Sequence, residues 1–432
     1  MSEWSQVPFS DLLIESRDGE WGEGREAFGH QLCEVIRGTD FAILNDPSIE
    51  LPLRWIPDHL VERKRLTIGD ILFEMAGGTA KQSTGRSALL KGTFFQHHEG
   101  TILCASFCRH LRLDRKQHDS AFIYYLLQAL YKAGYMAVFN IQHTGVSRFQ
   151  YTSFKKQTVL DVPLLPTQKK ITATLSAYDD LIENNQRRIA LLEKMAEEIY
   201  REWFVRLRFH GYEKAKFVKG IPQGWRVAEL KELASVNPSS ISRRNNLESI
   251  LYVDISSVST NRIDDVTPYA SVDAPGRARR RVKHGDVIWS SVRPANRAYC
   301  LIYEPDENLI VSTGFAVIRP NDTTPFTFLF FAVTSNPFVD QMTTVAKGAA
   351  YPATSFDDFE KAKLLVPTDD LMKSFHEKAE PMFRQKHFLQ QQSERLRKTR
   401  DLLLPRLISG KRSVENLAIQ FPPSMKEPAH ET

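Results

Sequence analysis

Two stretches of the chain combine glycine and serine with basic residues, a composition that suits phosphate binding. Residues 276–297 contain one acid, Asp286, and seven basic residues: Arg277, Arg279, Arg280, Arg281, Lys283, Arg293 and Arg297. Residues 77–91 contain no acid, and they carry Lys81, Arg86, Ser87 and Lys91. Backbone N–H and guanidinium groups of such loops bind phosphate oxygens, and arginine or lysine also binds base edges. Both stretches are therefore candidate contacts for a nucleic acid.

A third polar loop precedes a Thr-Ser-Phe sequence in each half of the chain. The first half has Arg148 and Gln150 in this loop, and the second half has Lys347 and Tyr351. A single basic or polar loop would more often be a solvated surface. Its recurrence at comparable places in two halves favours a nucleic-acid partner. We therefore add these four residues to the predicted contacts.

Sequences that resemble catalytic motifs do not complete one. The segment GGTAKQSTGRS at 77–87 has too long a spacing for a phosphate-binding P-loop, and arginine stands where the lysine belongs. Cys104, Cys108 and His110 lie in an apolar run, which indicates core residues rather than metal ligands. The Asn-Pro-Phe sequence at 336–338 lacks the second proline of the adenine methyltransferase motif. The sequence predicts no catalytic residue, no metal site and no cofactor bound by this chain.

Short motifs recur in the same order in the two halves. The pairs are Trp4 and Trp225, Asp40-Phe41 and Asp254-Ile255, Gly69-Asp70-Ile71 and Gly285-Asp286-Val287, and Thr152-Ser153-Phe154 and Thr354-Ser355-Phe356. Between them lie short β-like runs bounded by Gly, Pro and Asp, such as 250–255 and 308–318. The pattern predicts two copies of one mixed α/β module.

Each copy is followed by a long helical pattern with a seven-residue repeat. The first repeat includes Ile182, Asn185, Ile189, Leu192, Ile199 and Trp203, and the second includes Leu389, Leu396, Leu403 and Leu407. Such a repeat predicts that the two helices pair as an antiparallel coiled coil, with the buried Asn185 fixing the register. The alternative is that each helix packs on its own domain. Pro381 and Pro405 are expected to disturb the second helix.

Length and composition are consistent with two globular modules. A chain of 432 residues with 42% hydrophobic residues can bury two cores. Four cysteines are too few for a disulfide framework, and the first residues lack the pattern of a signal peptide, so we expect a cytoplasmic protein. The apolar stretch 121–139 contains Gln128 and Lys132, which indicates a buried helix and no membrane span. A formal net charge of +5 permits a polyanionic partner without requiring one.

The predicted fold class is α+β, with two repeated domains joined by two long helices. We place the first domain at 1–165, a central spacer helix at 166–211 and the second domain at 212–366. A C-terminal spacer helix follows at 367–413, and 414–432 is expected to be a disordered tail.

Several segments together resemble the specificity subunit of type I restriction-modification systems. They are LLPTQKKITATLSAYDDLIENNQRRIALLEKMAEEIYREWF at 164–204, IPQGW at 221–225, STGFAVIRP at 312–320 and LRKTRDLLLPRLISGK at 396–411. The resemblance extends over nearly the whole chain to about Ser413. It implies two target recognition domains, each reading one half of a bipartite sequence in double-stranded DNA. It also implies that the helices set the spacing and dock the methyltransferase subunits.

The same resemblance implies a non-catalytic chain. Two modification subunits would methylate DNA with S-adenosylmethionine, and restriction subunits would use ATP and Mg for translocation and cleavage. Two other functions stay open at this stage: a DNA adenine methyltransferase, and a coiled-coil scaffold that does not bind DNA. The first would need a cofactor loop, and the second leaves the paired basic loops unexplained.

Overall fold

The structure is a computed structural model that describes residues 4–44, 49–78, 82–143, 146–242, 247–349, 351–421 and 425. The chain divides into two compact units. Unit 1 comprises Met1–Asn185 and Gln392–Thr432, and unit 2 comprises Gln186–Gln391. Each unit thus contains one of the repeated modules and a part of each long helix.

Unit 1 contains twelve strands among its described residues. They are β1 (Ser5–Pro8), β2 (Leu13–Asp18), β3 (His30–Ile36), β4 (Leu53–Pro57), β5 (Ile71–Glu74), β6 (Ala76–Gly78), β7 (Ser87–Leu89), β8 (Thr101–Cys104), β9 (Cys108–Leu113), β10 (Asn140–His143), β11 (Val146–Phe149) and β12 (Val159–Val162). Its helices are α1 (Asp58–Lys64), α2 (Gly92–Phe95), α3 (Ser120–Lys132), α4 (Tyr151–Gln157) and the start of the long helix α5 (Leu165–Tyr200). The strands form sheets of order β2-β9-β5-β7, β4-β3-β8, β10-β11-β6 and β1-β12.

Unit 2 has the following strands among its described residues. They are β13 (Phe217–Val218), β14 (Ile221–Pro222), β15 (Arg226–Glu229), β16 (Ala234–Val236), β17 (Ser249–Val253), β18 (Val258–Ser259), β19 (Arg262–Ile263), β20 (Thr267–Ala270), β21 (Ala278–Arg281), β22 (Val287–Ser290), β23 (Tyr299–Leu301), β24 (Leu309–Ser312), β25 (Phe315–Pro320) and β26 (Lys363–Val366). Its helices are α6 (Phe326–Thr334), α7 (Asn336–Val345), α8 (Phe356–Glu360) and the start of the long helix α9 (Asp369–Ile408). The larger sheets have the orders β16-β25-β22-β23 and β20-β17-β24-β21, and β15 pairs with β26.

The two units repeat one sheet topology. The order β2-β9-β5-β7 of unit 1 returns as β16-β25-β22-β23 in unit 2. In both units a second sheet has a central strand, β3 or β17, with one antiparallel and one parallel neighbour. A strand pair formed from the two ends of the module, β1-β12 or β15-β26, also recurs. The predicted duplication and the α+β fold class are confirmed.

The recurring Gly-Asp motif has a structural role in each unit. Asp70 accepts hydrogen bonds from Nε and Nη2 of Arg112 at 2.9 and 2.7 Å, and from the Thr67 N–H at 2.8 Å. Asp286 accepts from Nε and Nη2 of Arg319 at 2.8 and 2.6 Å, and from the Lys283 N–H at 2.7 Å.

Both aspartates of the motif are buried, and each is held by a bidentate arginine from the neighbouring strand β9 or β25. Burial raises the pKa of Asp286, although Arg319 acts against this change. The motif therefore closes the turn before a buried strand and ties that strand to its neighbour.

The long helices run antiparallel to each other within each unit. In unit 1, Asn185 of α5 donates to Ser393 Oγ of α9 at 3.2 Å, and Arg400 forms an ion pair with Asp179. In unit 2, Tyr200 of α5 packs edge-on against Phe375 of α9, with ring centroids 5.9 Å apart. The antiparallel coiled coil is thus confirmed.

The predicted seam residues differ in their burial. Ile182, Asn185, Leu389 and Leu407 are buried, and Ile189, Leu192, Ile199, Trp203, Leu396 and Leu403 are partly buried. At the far ends of the seam the helices also join the module cores, because Leu407 belongs to the unit 1 core and Ile199 and Trp203 pack on the unit 2 core. Helix pairing and packing on a domain therefore occur together.

Two expectations for α9 and the tail differ from the structure. The helix continues through Pro381 and Pro405. The carbonyl groups that these prolines leave without an N–H partner belong to Glu377 and Asp401, which are exposed, so water can satisfy them. In the predicted disordered tail, Val414 is buried in the unit 1 core, and Lys170 Nζ donates to the Leu417 carbonyl at 3.2 Å.

Candidate nucleic-acid interface

Two loops of unit 2 that carry predicted contact residues are held side by side by their backbones. The Arg293 N–H donates to the Pro352 carbonyl at 2.7 Å, and the Thr354 N–H donates to the Ser291 carbonyl at 2.8 Å. Lys347 and Ala353 also exchange two backbone hydrogen bonds of 2.9 Å. The polar loop before the Thr-Ser-Phe motif is therefore bound to the loop after β22. The structure brings Arg293, Lys347 and Tyr351 together, as the sequence could not show.

The loop after β22 holds two arginines in a left-handed backbone conformation. Arg293 has φ of 50° and Arg297 has φ of 54°, and they flank the turn at Pro294. Residues with side chains rarely adopt this conformation, which costs about 1 kcal/mol or more and concentrates at functional sites. Arg297 Nη2 donates to Asn336 Oδ1 at 2.8 Å, so this arginine also supports the start of α7.

An arginine–aromatic surface, defined as Arg280, Arg293, Tyr351 and Phe356, combines two arginines of the basic segment 276–297 with two aromatic residues of unit 2. The Arg293 guanidinium lies 4.6 Å from the centroid of the Tyr351 ring, and Tyr351 is 69% exposed. The Arg280 guanidinium lies 5.1 Å from the Phe356 ring. Both rings come from the segment 351–356, which follows Lys347 closely. Aromatic faces of this kind hold the guanidinium groups in place through cation–π attraction.

Arg279, Arg280 and Arg281 lie on β21, the edge strand of its sheet, and Arg277 immediately precedes that strand. Arg277 and Arg281 are exposed, and Arg279 and Arg280 are half-buried. A β-bulge at Arg279 interrupts the alternation of side chains along the strand. Burial lowers the pKa of Arg280, whose Nε has no hydrogen-bond partner among the described residues. Within the described part of the chain, no ion pair joins any of these four arginines to a carboxylate.

The predicted residues of unit 1 occupy different environments. Arg86 binds the buried Glu74 through Nε at 2.9 Å and donates to the Gly38 carbonyl. Ser87 is buried, and its carbonyl accepts from Gln128. Lys91 forms an ion pair of 2.5 Å with Glu183 of α5. These three residues are thus engaged inside unit 1. No sequence signal predicts this, because their side-chain partners are twelve or more residues away.

The remaining predicted contacts of unit 1 lie near the sheet β10-β11-β6. Arg148 on β11 and Gln150 just after it are exposed. Lys81 lies outside the described residues. Arg109 lies outside the predicted basic stretches, and its guanidinium lies 4.4 Å from the Tyr151 ring. Arg109 also binds Asp18 and donates to Ser16 Oγ at 3.1 Å, so its charge is partnered within unit 1.

No group of His, Cys, Asp and Glu suited to a metal ion occurs in the described ranges. All four cysteines are buried, and burial raises the pKa of the Cys104 thiol to about 12. A thiol with such a pKa is a poor ligand or nucleophile at neutral pH. No helix of the described part of the chain is long and apolar enough to cross a membrane.

Comparison with known proteins gives a consistent set of matches. Residues 59–194 match the family model of the Type I restriction modification DNA specificity domain. The Type I restriction enzyme MjaIX specificity subunit of Methanocaldococcus jannaschii is 24% identical over 326 residues, which cover 69% of this chain and 70% of that protein. The putative type I restriction enzyme MjaX specificity subunit of the same organism is 21% identical over 95% of this chain and 93% of its own length.

A solved structure shares the fold. The crystal structure of the type I restriction-modification S subunit from M. genitalium superposes with a TM-score of 0.55 at 15% sequence identity. The match covers 94% of this chain and 96% of that chain. The fold of this chain therefore has a counterpart of known structure.

Proposed function

We propose that this chain, which belongs to the family of type I restriction-modification specificity subunits, reads a bipartite sequence in double-stranded DNA. Unit 1 reads one half of the sequence, and unit 2 reads the other. The observation that carries the proposal is the recurrence of one sheet topology, β2-β9-β5-β7 and β16-β25-β22-β23, with different surface residues on each copy. A repeated scaffold with different surfaces suits a target made of two unlike half-sequences.

In unit 2 the contacts divide into two kinds. The exposed Arg281 of β21 and Arg277, which immediately precedes that strand, bind phosphate oxygens, which positions the unit on the duplex. Arg293 reads a base edge, because its guanidinium is oriented by Tyr351 and can bind guanine O6 and N7 together. Lys347 adds a further phosphate contact. In unit 1 the exposed Arg148 and Gln150, together with Lys81, supply the corresponding contacts.

DNA binding by the full chain tests this proposal directly. We expect binding to duplex DNA that weakens steeply as salt increases, since each neutralised phosphate releases counterions. Methylation-sensitive sequencing of host DNA, with and without the gene, would then give the two half-sequences. Binding that is independent of salt, or a methylation pattern unchanged by deletion, would contradict the proposal. A methylated motif with only one defined half would contradict the division between the units.

The helix pair sets the gap between the two half-sequences. One heptad inserted into each long helix, between the Asn185–Ser393 and Glu193–Lys386 contacts, preserves the seam. It lengthens the pair by ~10 Å, or about three base pairs of DNA. We expect unchanged half-sequences separated by a wider gap. An insertion into α5 alone is the control, because it breaks the register. A methylated site that keeps its original gap in the double insertion would refute the spacer role.

The long helices also dock two modification subunits. Several apolar side chains on their outer faces are exposed: Leu181 and Leu402 in unit 1, and Leu191, Met195 and Phe388 in unit 2. Exposed apolar residues of this kind mark protein contacts. The modification subunits supply methylation with S-adenosylmethionine, and restriction subunits supply ATP- and Mg-dependent cleavage, in the cytoplasm. The chain itself is non-catalytic in this proposal.

Two simple measurements separate the alternatives. A DNA adenine methyltransferase would bind S-adenosylmethionine as the isolated chain, which calorimetry would detect. A coiled-coil scaffold would assemble with partners but leave DNA mobility unchanged at low salt. We expect neither result, because two specificity subunits are similar to the chain over most of its length.

A further inference from the structure

Three polar layers cross the otherwise apolar helix pair. In unit 1, Arg400 of α9 forms an ion pair with Asp179 of α5, and Asn185 of α5 donates to Gln392 Oε1 and Ser393 Oγ of α9 at 3.1 and 3.2 Å. In unit 2, Lys386 Nζ of α9 lies 2.6 Å from Glu193 Oε1 of α5. Lys386, Ser393 and Arg400 recur every seven residues along α9, and each has a polar partner on α5.

The charges of these layers are sorted by helix. Both acids, Asp179 and Glu193, belong to α5, and both bases, Lys386 and Arg400, belong to α9. The two acids lie fourteen residues apart, as do the two bases, and the Asn185–Ser393 layer lies near the middle of each interval. The bases are largely withdrawn from water, with 11% of the Lys386 side chain and 24% of the Arg400 side chain exposed.

This spacing makes self-pairing unfavourable for either helix. Two copies of α5, paired antiparallel about the Asn185 layer, would place Asp179 opposite Glu193. Two copies of α9, paired about Ser393, would place Lys386 opposite Arg400. Like charges directly opposed in a partly buried seam repel each other, and each would also lose its present counter-ion.

We propose that the three layers form a pairing code that lets α5 pair only with a helix carrying the α9 charges. The partner is either the chain's own α9 or the α9 of a second copy that exchanges halves with the first. The pairing code therefore favours pairing of α5 with α9, and it excludes assemblies in which α5 pairs with α5 or α9 pairs with α9. This inference is independent of DNA binding, since it concerns only the contacts between α5 and α9.

Each acid also contacts its own module, and the test has to separate that role. Asp179 accepts from the Tyr125 hydroxyl, and Glu193 accepts from Asn261 Nδ2 at 2.8 Å. Asp401, beside Arg400, is bound by Lys132 at 2.7 Å. A charge that served only its module would not be rescued by a matching change on the other helix. Rescue is therefore the diagnostic result.

The experiment compares four full-length chains by urea unfolding and sedimentation. They are the unchanged chain, an α9 reversal (Lys386→Glu with Arg400→Glu), an α5 reversal (Asp179→Lys with Glu193→Lys), and the combination of both reversals. We expect each single reversal to lower the folding equilibrium constant, and the combination to exceed the product of the two single effects by at least about 100-fold. Losses in the combination that equal the product of the single losses would overturn the code.

A second measurement covers the case in which the singly reversed chains do not fold alone. In the α9 reversal, both helices carry acids at the two charged layers. In the α5 reversal, both helices carry bases there. The helices of each variant can therefore form oppositely charged layers only with the helices of the other variant. Co-expressed with different affinity tags, they are expected to form a one-to-one dimer by exchanging helices, detectable by native mass spectrometry. Two tagged copies of the unchanged chain are the control and should not co-purify. Failure of the reversed chains to co-purify, like equal recovery of the control pair, would overturn the proposal.

Discussion

The two units keep the same sheets and the same buried aspartate–arginine pair, yet their other arginines are used differently. In unit 1, Arg86 and Arg109 are bound by Glu74 and Asp18, and their charges are neutralised within the unit. In unit 2, Arg280 and Arg293 lie over aromatic rings. The sheets are thus a constant support, whereas the arginines near them have different partners in the two copies.

The largest expected effect comes from the buried aspartate–arginine pair that both units contain. Asp70→Ala and Asp286→Ala each remove the buried carboxylate of a bidentate aspartate–arginine pair, and we expect a loss of about 3 kcal/mol, smaller for Asp70→Ala because Arg112 keeps its ion pair with Glu15. Hydrogen exchange followed by mass spectrometry would locate the loss in the unit that carries the substitution. A loss in only one unit would mean that the two aspartate–arginine pairs are not equivalent. Asp273→Ala, an exposed substitution, is the matched control.

Arg86 tests whether the unit 1 basic stretch serves folding. Arg86→Ala leaves the buried Glu74 unpaired, so we expect a loss of about 2 kcal/mol in the free energy of unfolding. Arg293→Ala in unit 2 should weaken DNA binding and lower the free energy of unfolding by less than Arg86→Ala does. Urea unfolding and fluorescence anisotropy of the two variants give a direct contrast. The comparison fails if Arg86→Ala costs DNA affinity without costing stability.

The β21 arginines test the contact surface of unit 2. Replacing Arg279, Arg280 and Arg281 with Ala should weaken DNA binding on the order of 100-fold at low salt. It should lower the slope of log affinity against log salt by roughly 0.9 for each lost phosphate contact. The matched control replaces Arg206, Arg208 and Arg226, which have carboxylate partners, and should keep the slope. An unchanged slope in the first variant would remove β21 from the interface.

The smallest expected effect concerns a histidine in the sheet β2-β9-β5-β7 of unit 1, which the corresponding sheet of unit 2 lacks. His110 on β9 is fully buried opposite Leu72, and the same position in unit 2, opposite Ile288, is Val317. Burial lowers the pKa of His110, so the unfolded chain binds the proton more readily. The contribution of neutral His110 to the stability of unit 1 is therefore retained above pH ~6.5 and is lost as the pH falls from there towards the folded-state pKa.

His110→Val should remove this pH dependence from unit 1. We expect the unfolding temperature of the unchanged protein to fall by roughly 3 °C more than that of the variant between pH 7.5 and 5.5. Calorimetry at the two pH values measures the difference. Equal pH dependence in both proteins would mean that other groups dominate acid sensitivity.

Much of the fold could be predicted because it depends on local and periodic signals. The repeated Gly-Asp and Thr-Ser-Phe motifs revealed the duplication, and the seven-residue spacing revealed the helix pair. The role of the Gly-Asp motif could not be predicted, since its arginines lie on strands far along the chain. Lys386 and Arg400 are polar residues in a mainly apolar seven-residue repeat, and the sequence alone does not identify what they contact. Their acids on α5 become apparent only when the register of the pair is known.

The candidate site was predictable in part. The sequence identifies Arg293, Lys347 and Tyr351 as candidate contacts by residue type and position. The structure brings their loops together through backbone hydrogen bonds. Arg86 and Lys91 were selected for their charge, yet Glu74 and Glu183 bind them. Composition alone cannot distinguish a basic side chain that awaits a ligand from one that already has an internal counter-ion. That distinction requires the three-dimensional positions of distant acids.

The backbone attachment of the two unit 2 loops has an evolutionary consequence. The segments 291–297 and 347–354 are joined by main-chain N–H and carbonyl groups, which every residue type except proline can supply in full. Side chains at Lys347 and Tyr351 can therefore change without loosening the attachment. Under the proposed function, new sequence preferences would arise through a few substitutions while the support persists, so a different target would be acquired without first losing the fold.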